Sequence, residues 1–268
     1  MPARTAIRVI SLESAIERRE KFILHAEDAR TDWEYFSAYT GLTSPLRYDE
    51  RAALRRYGHL LSASEVGCYT SHYKVWEWFI GSKYDQIIIM EDDVLVEWAV
   101  IRELAKYNFS QIGVNVLRLF APYPFKAKMI IPRFLSRHIH LLRVVGIMVG
   151  GQGYLLTRRG AEALLRCGKA ITLPVDEYMG RYWVYGMLTY ALFPFPMLER
   201  HVASTIGGER ELTPNDACCI DRLSIFCWRL RNNIARAWTQ WFQMYGKQFV
   251  GTIDTRTVQL HKNGKGRE

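Results

Sequence analysis

The sequence predicts an α/β fold, a mostly parallel sheet flanked by helices, and three observations lead there. Gln86-Ile87-Ile88-Ile89-Met90 is continuously apolar and β-branched, as in a strand covered on both faces. Strand-like and helix-like segments alternate along most of the chain. The apolar run also ends in Glu91-Asp92-Asp93, at a strand's carboxyl end, where open α/β sheets bind ligands.

Three adjacent carboxylates repel one another, and the local sequence offers no set of cations to neutralise them. A divalent cation would hold them together, and hard oxygen ligands suit Mg²⁺ or Mn²⁺. The alternative is a solvated acidic turn, the common state of a charge run. The buried strand feeding the triplet favours the metal.

The chain has 268 residues, enough for one large domain or one domain with an appendage. It is 49% hydrophobic and 24% charged, so it can bury a core. No apolar window of about 18 residues predicts a membrane-spanning helix. Met1 to Thr5 runs straight into Ile7-Arg8-Val9-Ile10, so no signal peptide is expected. Cys68, Cys167, Cys218, Cys219 and Cys227 are odd in number and lack metal-ligand spacing. They read as reduced thiols of a cytoplasmic protein. Lys plus Arg outnumber Asp plus Glu by 36 to 27, a net charge of +9 that favours anionic partners. No nucleic-acid-binding motif is visible.

In chain order, Ile7 to Leu12 is a first strand and Glu13 to Ala29 a helix carrying Arg18 and Arg19. The turn between them places backbone N–H groups and arginines where a diphosphate would sit. Trp33 to Tyr39 is a short aromatic strand, and 45–58 a basic loop with a short helix. Ser62 and Glu65 have capping-box spacing, so a helix starts there and runs to about Ile80. Val66, Tyr69, Tyr73, Trp76 and Phe79 share its buried face. Gly67 and Cys68 are small, so something approaches that helix closely. His72, one turn on, is on its own better explained by a satisfied core histidine than by a site.

Val114 to Phe120 is a further strand, and 121–134, with three prolines and three basic residues, a basic loop or lid. Arg143 to Gly153 reads as an apolar strand ending in Gly150-Gly151-Gln152-Gly153, where glycines permit close approach of backbone to a ligand. Tyr154 to Thr157 resumes as strand, and Thr157 caps a helix through Leu165. Asp176 begins another helix, as an N-terminal charge or a functional acid. Thr189 to Pro196 is the next strand, and 199–208 a polar loop.

Residues 1–220 are expected to form the catalytic domain, and 221–268 a basic, tryptophan-rich helix and tail. The second part holds nine lysines and arginines against three acids. Leu223, Phe226, Cys227, Leu230, Ile234, Trp238, Trp241 and Tyr245 share one helical face, with Arg222, Arg229 and Arg236 on its flank. Such a helix either packs inward or lies on an anionic membrane.

Five segments together resemble glycosyltransferase family 25, which includes bacterial lipooligosaccharide and lipopolysaccharide glycosyltransferases. They are Val9-Ile10-Ser11-Leu12 with Arg18-Arg19, Leu61 to His72, Ile88 to Val94, Gly153 to Leu165, and Leu173-Pro174-Val175-Asp176. The likeness covers roughly 7–207, and the tail after about 220 has no counterpart in it. The resemblance implies a GT-A, Rossmann-like fold. It also implies inverting transfer of galactose or glucose from a UDP-sugar to a saccharide or lipid-linked oligosaccharide acceptor. Glu91-Asp92-Asp93 then stands where that fold has its metal-binding Asp-x-Asp. Glu91 and Asp93 would hold Mn²⁺ or Mg²⁺, with His201 as a further ligand. Donor binding falls to Ser11, Leu12, Arg18, Arg19, Ser71, His72, Asp92, Gly151 and Gln152.

Inverting displacement needs a base for the acceptor hydroxyl. Asp176 is the first candidate and Glu177 the second. A lipid-linked acceptor would place the enzyme on the inner face of the cytoplasmic membrane. Two other readings use the same residues: a metal-dependent nucleotidyltransferase, and a membrane-associated scaffold with a decayed donor site.

Overall fold

Ile87 and Ile89 point to one face of their strand, Ile88 and Met90 to the other, and all four are fully buried. Each face must therefore be covered, and a three-layer arrangement follows. The computed structural model describes residues 3–200 and 219–245. In chain order the elements are β1 (Thr5–Ser11), α1 (Ile16–His25), β2 (Glu34–Ser37), β3 (Arg47–Tyr48), α2 (Glu50–Arg56), α3 (Ala63–Gly81) and β4 (Gln86–Glu91). There follow β5 (Val94–Val96), α4 (Trp98–Lys106), β6 (Val116–Arg118), β7 (Ala127–Ile131), β8 (His140–Val144), β9 (Gly153–Thr157) and α5 (Arg158–Cys167). The last are β10 (Ala170–Ile171), α6 (Val175–Met179), α7 (Tyr182–Tyr185), β11 (Thr189–Phe193), β12 (Met197–Glu199) and α8 (Cys219–Tyr245).

Eight strands form one sheet in the order β2-β1-β4-β9-β6-β11-β8-β7. β9 and β8 run against the rest, and the other strands share one direction. On one face, Ile88 and Met90 join Phe22 of α1 and Ile101 and Leu104 of α4. On the other, Ile87 and Ile89 join α3, α5, α6 and α7 through Tyr73, Trp76, Leu164, Tyr178 and Tyr182. The face expected for α3 is the buried one.

The α3 capping box is complete. Glu65 N donates to Ser62 Oγ (3.2 Å), and Ser62 N donates to Glu65 Oε2 (2.9 Å). Gly67 explains the small residue in that helix, since a Cβ there would sit 2.7 Å from the Tyr39 carbonyl oxygen. Thr157 caps α5 by accepting from Gly160 N (3.4 Å).

Three elements differ from expectation. α1 spans Ile16–His25, shorter than 13–29, because a turn closed by Ala15 N donating to Leu12 O comes first. The expected basic loop or lid at 121–134 contains β7, an edge strand paired antiparallel with β8. Its prolines lie outside the strand, where no ladder donor is missing. The strand expected over 143–153 stops at Val144, and 145–152 is a loop before β9. Gly150 is at φ +100°, which no strand sustains; Met148 is buried and Val145, Ile147 and Val149 half-buried there by packing rather than by pairing.

α8 lies against α2 and α7 with the face opposite its apolar one. Trp183 Nε1 donates to Asn232 Oδ1 (2.8 Å), and Trp228 stacks on Arg181 with 5.5 Å to the ring centroid. Leu223, Phe226, Ile234 and Trp238 are 64%, 63%, 58% and 62% exposed, so the apolar face points to solvent.

Candidate active site

β4 delivers Glu91 to the carboxyl edge of the sheet. The loop 145–152 brings Gly151 and Gln152 to the same place, and the first turn of α6 brings Asp176 and Glu177. With Cys68 of α3 they line a cleft of about 310 Å³. Asp176 is held by backbone: Gly150 N donates to its Oδ2 (3.3 Å) and Glu177 N to its Oδ1 (2.8 Å). Glu177 is ion-paired with the largely buried Arg181. A Cβ on Gly151 would lie 3.3 Å from Glu91 Oε1 and 3.6 Å from His72 Nε2, so glycine lets the loop backbone come down onto the acid.

His72 is fully buried behind the cleft. Its Nδ1 lies 2.7 Å from Tyr154 Oη, and Trp76 Nε1 donates to that same oxygen (2.8 Å). Indole N–H is a donor only, so Tyr154 accepts from Trp76. His72 Nε2 faces Glu91 Oε1 at 3.4 Å, and a carboxylate there favours the imidazole hydrogen on Nε2, with Nδ1 accepting from Tyr154. A hydrogen-bond chain runs Trp76 to Tyr154 to His72 and ends facing Glu91, each hydrogen pointing toward the acid.

Asp92 faces α1. Ser11 Oγ donates to Asp92 Oδ2 (2.6 Å), Arg18 Nη1 pairs with Asp92 Oδ1 (3.4 Å), and Arg19 Nε donates to Ser11 Oγ (3.0 Å). Arg19 also stacks on Tyr35, 4.6 Å from its centroid. Burial pushes the Asp92 carboxyl up, opposed by Ser11 and Arg18. Asp93 is pushed up to about 7, by burial first and then by Glu91 and Asp92. Leu12 sits at the turn into α1. Ser71 is buried beside β2, accepting from Tyr39 N (2.8 Å) and donating to Gly67 O (2.7 Å). His201 lies outside the described residues.

Asp93 Oδ1 is buried without a hydrogen-bond partner. An orphaned carboxylate oxygen beside two more acids fits a hard divalent cation. Cys68, His72 and Glu91 also bring ligand atoms within 4.8 Å of one another. With a thiol and an imidazole, that trio suits a softer ion than Mn²⁺ or Mg²⁺, which prefer oxygen ligands. In the metal-free protein burial, reinforced by Glu91 and Asp176, pushes the Cys68 thiol well up.

Sequence reasoning missed Tyr154, Trp76 and Arg118 as site residues. Arg118 is fully buried in β6 and donates Nη2 to Gly150 O, bracing the loop that carries Gly151. A lone cation inside Val116-Leu117-Arg118-Leu119-Phe120 was the available signal. Nothing local marks Tyr154 or Trp76, because their roles arise from α3 meeting β9.

A family model described as Glycosyltransferase family 25 (LPS biosynthesis protein) matches residues 5–179. A "Glycosyltransferase 25 family member" of Anopheles gambiae is 28% identical over 184 residues, 65% of this chain and 31% of that protein. The chain thus spans about a third of that relative's length. The "Lipooligosaccharide biosynthesis protein lic2B" of Haemophilus influenzae is 29% identical over 198 residues, 69% of this chain and 73% of its own. A crystal structure of a Drosophila β-1,4-galactosyltransferase 7 mutant with manganese, UDP-Gal and xylobiose has a TM-score of 0.41 at 12% identity. It covers 82% of this chain and 79% of its own.

Proposed function

This chain belongs to glycosyltransferase family 25, and from that premise we propose that it transfers a hexose, galactose or glucose, from a UDP-sugar with inversion. The acceptor in this reading is a saccharide of the lipooligosaccharide type. One observation carries it: Glu91, Gly151 and Asp176 meet in a single cleft at the carboxyl end of the sheet.

Glu91 and Asp93 would hold Mn²⁺ or Mg²⁺. When bound, the cation offsets the charge that builds on the departing diphosphate. Arg18 and Arg19 stand beside Ser11 and Asp92 to bind the donor. Asp176, fixed by two backbone donors, takes the acceptor hydroxyl's proton. Arg181 engages Glu177 and leaves it the weaker candidate for that base. Gly151 keeps the space over Glu91 open for the sugar, and His72 steadies Glu91 from behind.

The test is UDP release across UDP-galactose, UDP-glucose and their N-acetylated forms, with a saccharide acceptor and Mn²⁺. Release of pyrophosphate from a nucleoside triphosphate, without UDP release from any sugar donor, would replace this reading with nucleotidyl transfer.

A membrane position is the second part of the proposal. Among the described residues no helix is long and apolar enough to cross a membrane. The solvent-facing apolar side of α8, with Arg229 exposed on its flank, supports a helix lying in an anionic lipid surface.

A further inference from the structure

A second cleft, of about 470 Å³, opens between α2 and α8. Arg51, Arg55 and Arg56 line it from α2, and Arg231 and Trp228 face them from α8. Arg51 and Arg55 are one helical turn apart, where like charges repel. No ion pair relieves them: among the described residues, none of the four arginines is within salt-bridge distance of an acid. Arg56 Nη1 donates to Thr172 Oγ1 (3.0 Å) and keeps its other N–H groups. Asp49 also lines the cleft, but its Oδ1 is engaged by Ala52 N (2.9 Å) as the cap of α2. Four guanidinium groups against one carboxylate leave a strong excess of positive charge around an open space.

We propose that this cleft binds the phosphomonoester headgroup of an anionic lipid. The chemistry of the cleft selects that group. Guanidinium forks bind phosphate oxygens in pairs, and a monoester carries close to two charges and three free oxygens at neutral pH. A phosphodiester headgroup offers one charge and two free oxygens, so it satisfies fewer of the forks. Position selects a lipid over a soluble phosphate. Cys227, Trp228 and Arg231 on the rim belong to the same helix whose exposed face carries Phe226, Leu230 and Ile234. A helix embedded by that face would hold the cleft at headgroup level. The proposal rests on the membrane position proposed for α8, and it adds a specific headgroup site to general attraction.

The test uses the full chain with two sets of vesicles matched in surface charge by electrophoretic mobility. One carries phosphatidic acid, a monoester, and the other phosphatidylglycerol, a diester. The expected result is stronger co-sedimentation with phosphatidic acid, by at least fivefold. Arg55→Gln combined with Arg231→Gln should erase that preference, since each arginine near the lipid contributes about fivefold in affinity. UDP release should be unchanged in this variant, because neither arginine lines the cleft of Glu91 and Asp176. Equal binding at matched charge, a preference that survives the substitutions, or no vesicle binding at all overturns the proposal. So does stabilisation by inorganic phosphate with no discrimination between the vesicles, which would assign the cleft to a soluble anion. Failure of the transferase reading would show separately, as absent UDP release beside an intact vesicle preference.

Discussion

Tyr154 Oη lies 2.7 Å from His72 Nδ1 and also accepts the indole N–H of Trp76, so one phenol of β9 ties two side chains of α3 together. Tyr154→Phe tests what that bond does. It leaves Trp76 N–H and His72 Nδ1 without a partner in the core, at a cost of about 1–3 kcal/mol for each buried group left unsatisfied. His72 should then sample both tautomers, and its hold on Glu91 should loosen. The expected result is a lower kcat with little change in donor KM, and a shift of the His72 ring ¹⁵N resonances away from the Nε2–H pattern. Unchanged nitrogen shifts with a lowered melting temperature would reduce Tyr154 to a packing residue.

Asp93→Asn keeps the shape of the acid and removes its charge. UDP release should fall by orders of magnitude, and EDTA should abolish wild-type turnover while leaving the fold intact. Full wild-type activity in EDTA would rule out the metal role.

The same carboxyl sets a pH dependence in metal-free protein. Its folded pKa, about 7, is raised above an unfolded value near 4, so the native state binds the proton more tightly. Stability from this group is complete below pH of about 4 and is lost as pH rises through about 7. In chelator, the melting temperature should therefore decline between roughly pH 4 and 7, and Asp93→Asn should flatten that part of the profile. A wild-type profile that rises with pH in this window, identical in the variant, would contradict the assignment.

How much of this was legible in the sequence depends on what kind of contact is asked for. β4 could be read because a strand covered on both faces must be apolar throughout. The α3 start could be read because Ser62 and Glu65 form a local cap, and Gly67 because a close neighbour forbids a side chain. The chain from Trp76 through Tyr154 to His72 joins α3 to β9, 82 residues apart for Tyr154 and His72, and no local pattern encodes it. Apolar residues at 145–149 looked like strand because an apolar run reports burial, and here Met148 is buried and its neighbours half-buried by loop packing. Helical spacing likewise showed which residues of α8 share a face, and only the packing of Trp228 and Asn232 on the body shows that this face looks outward.

Asp176 and Glu177 are neighbours in one cleft, and their partners separate their roles. Asp176→Asn should preserve UDP and metal binding while reducing transfer by about 10²–10⁴-fold, the range for loss of a general base. Glu177→Gln breaks the ion pair with Arg181, so it should cost stability more than chemistry. Loss of UDP affinity in Asp176→Asn, with transfer retained at saturating donor, would make Asp176 a binding residue and return Glu177 to the role of base.

α8 offers the last test, because its exposure separates two explanations that its sequence leaves equal. If its apolar face held the helix to the body, Trp238→Ala would lower the melting temperature. That face is exposed, and Trp238 itself is 62% exposed with its ring 5.8 Å from that of Trp241. Substitution there should change stability by no more than about 0.5 kcal/mol, as at other surface sites. Co-sedimentation with anionic vesicles should nevertheless fall, because an indole at the lipid interface is lost. Salt should weaken wild-type binding only in part: screening removes the contribution of the arginines and leaves apolar insertion. A Trp238→Ala protein that melts several degrees lower and sediments like wild type would show that α8 is a structural brace, and that contact with the membrane must come from another surface.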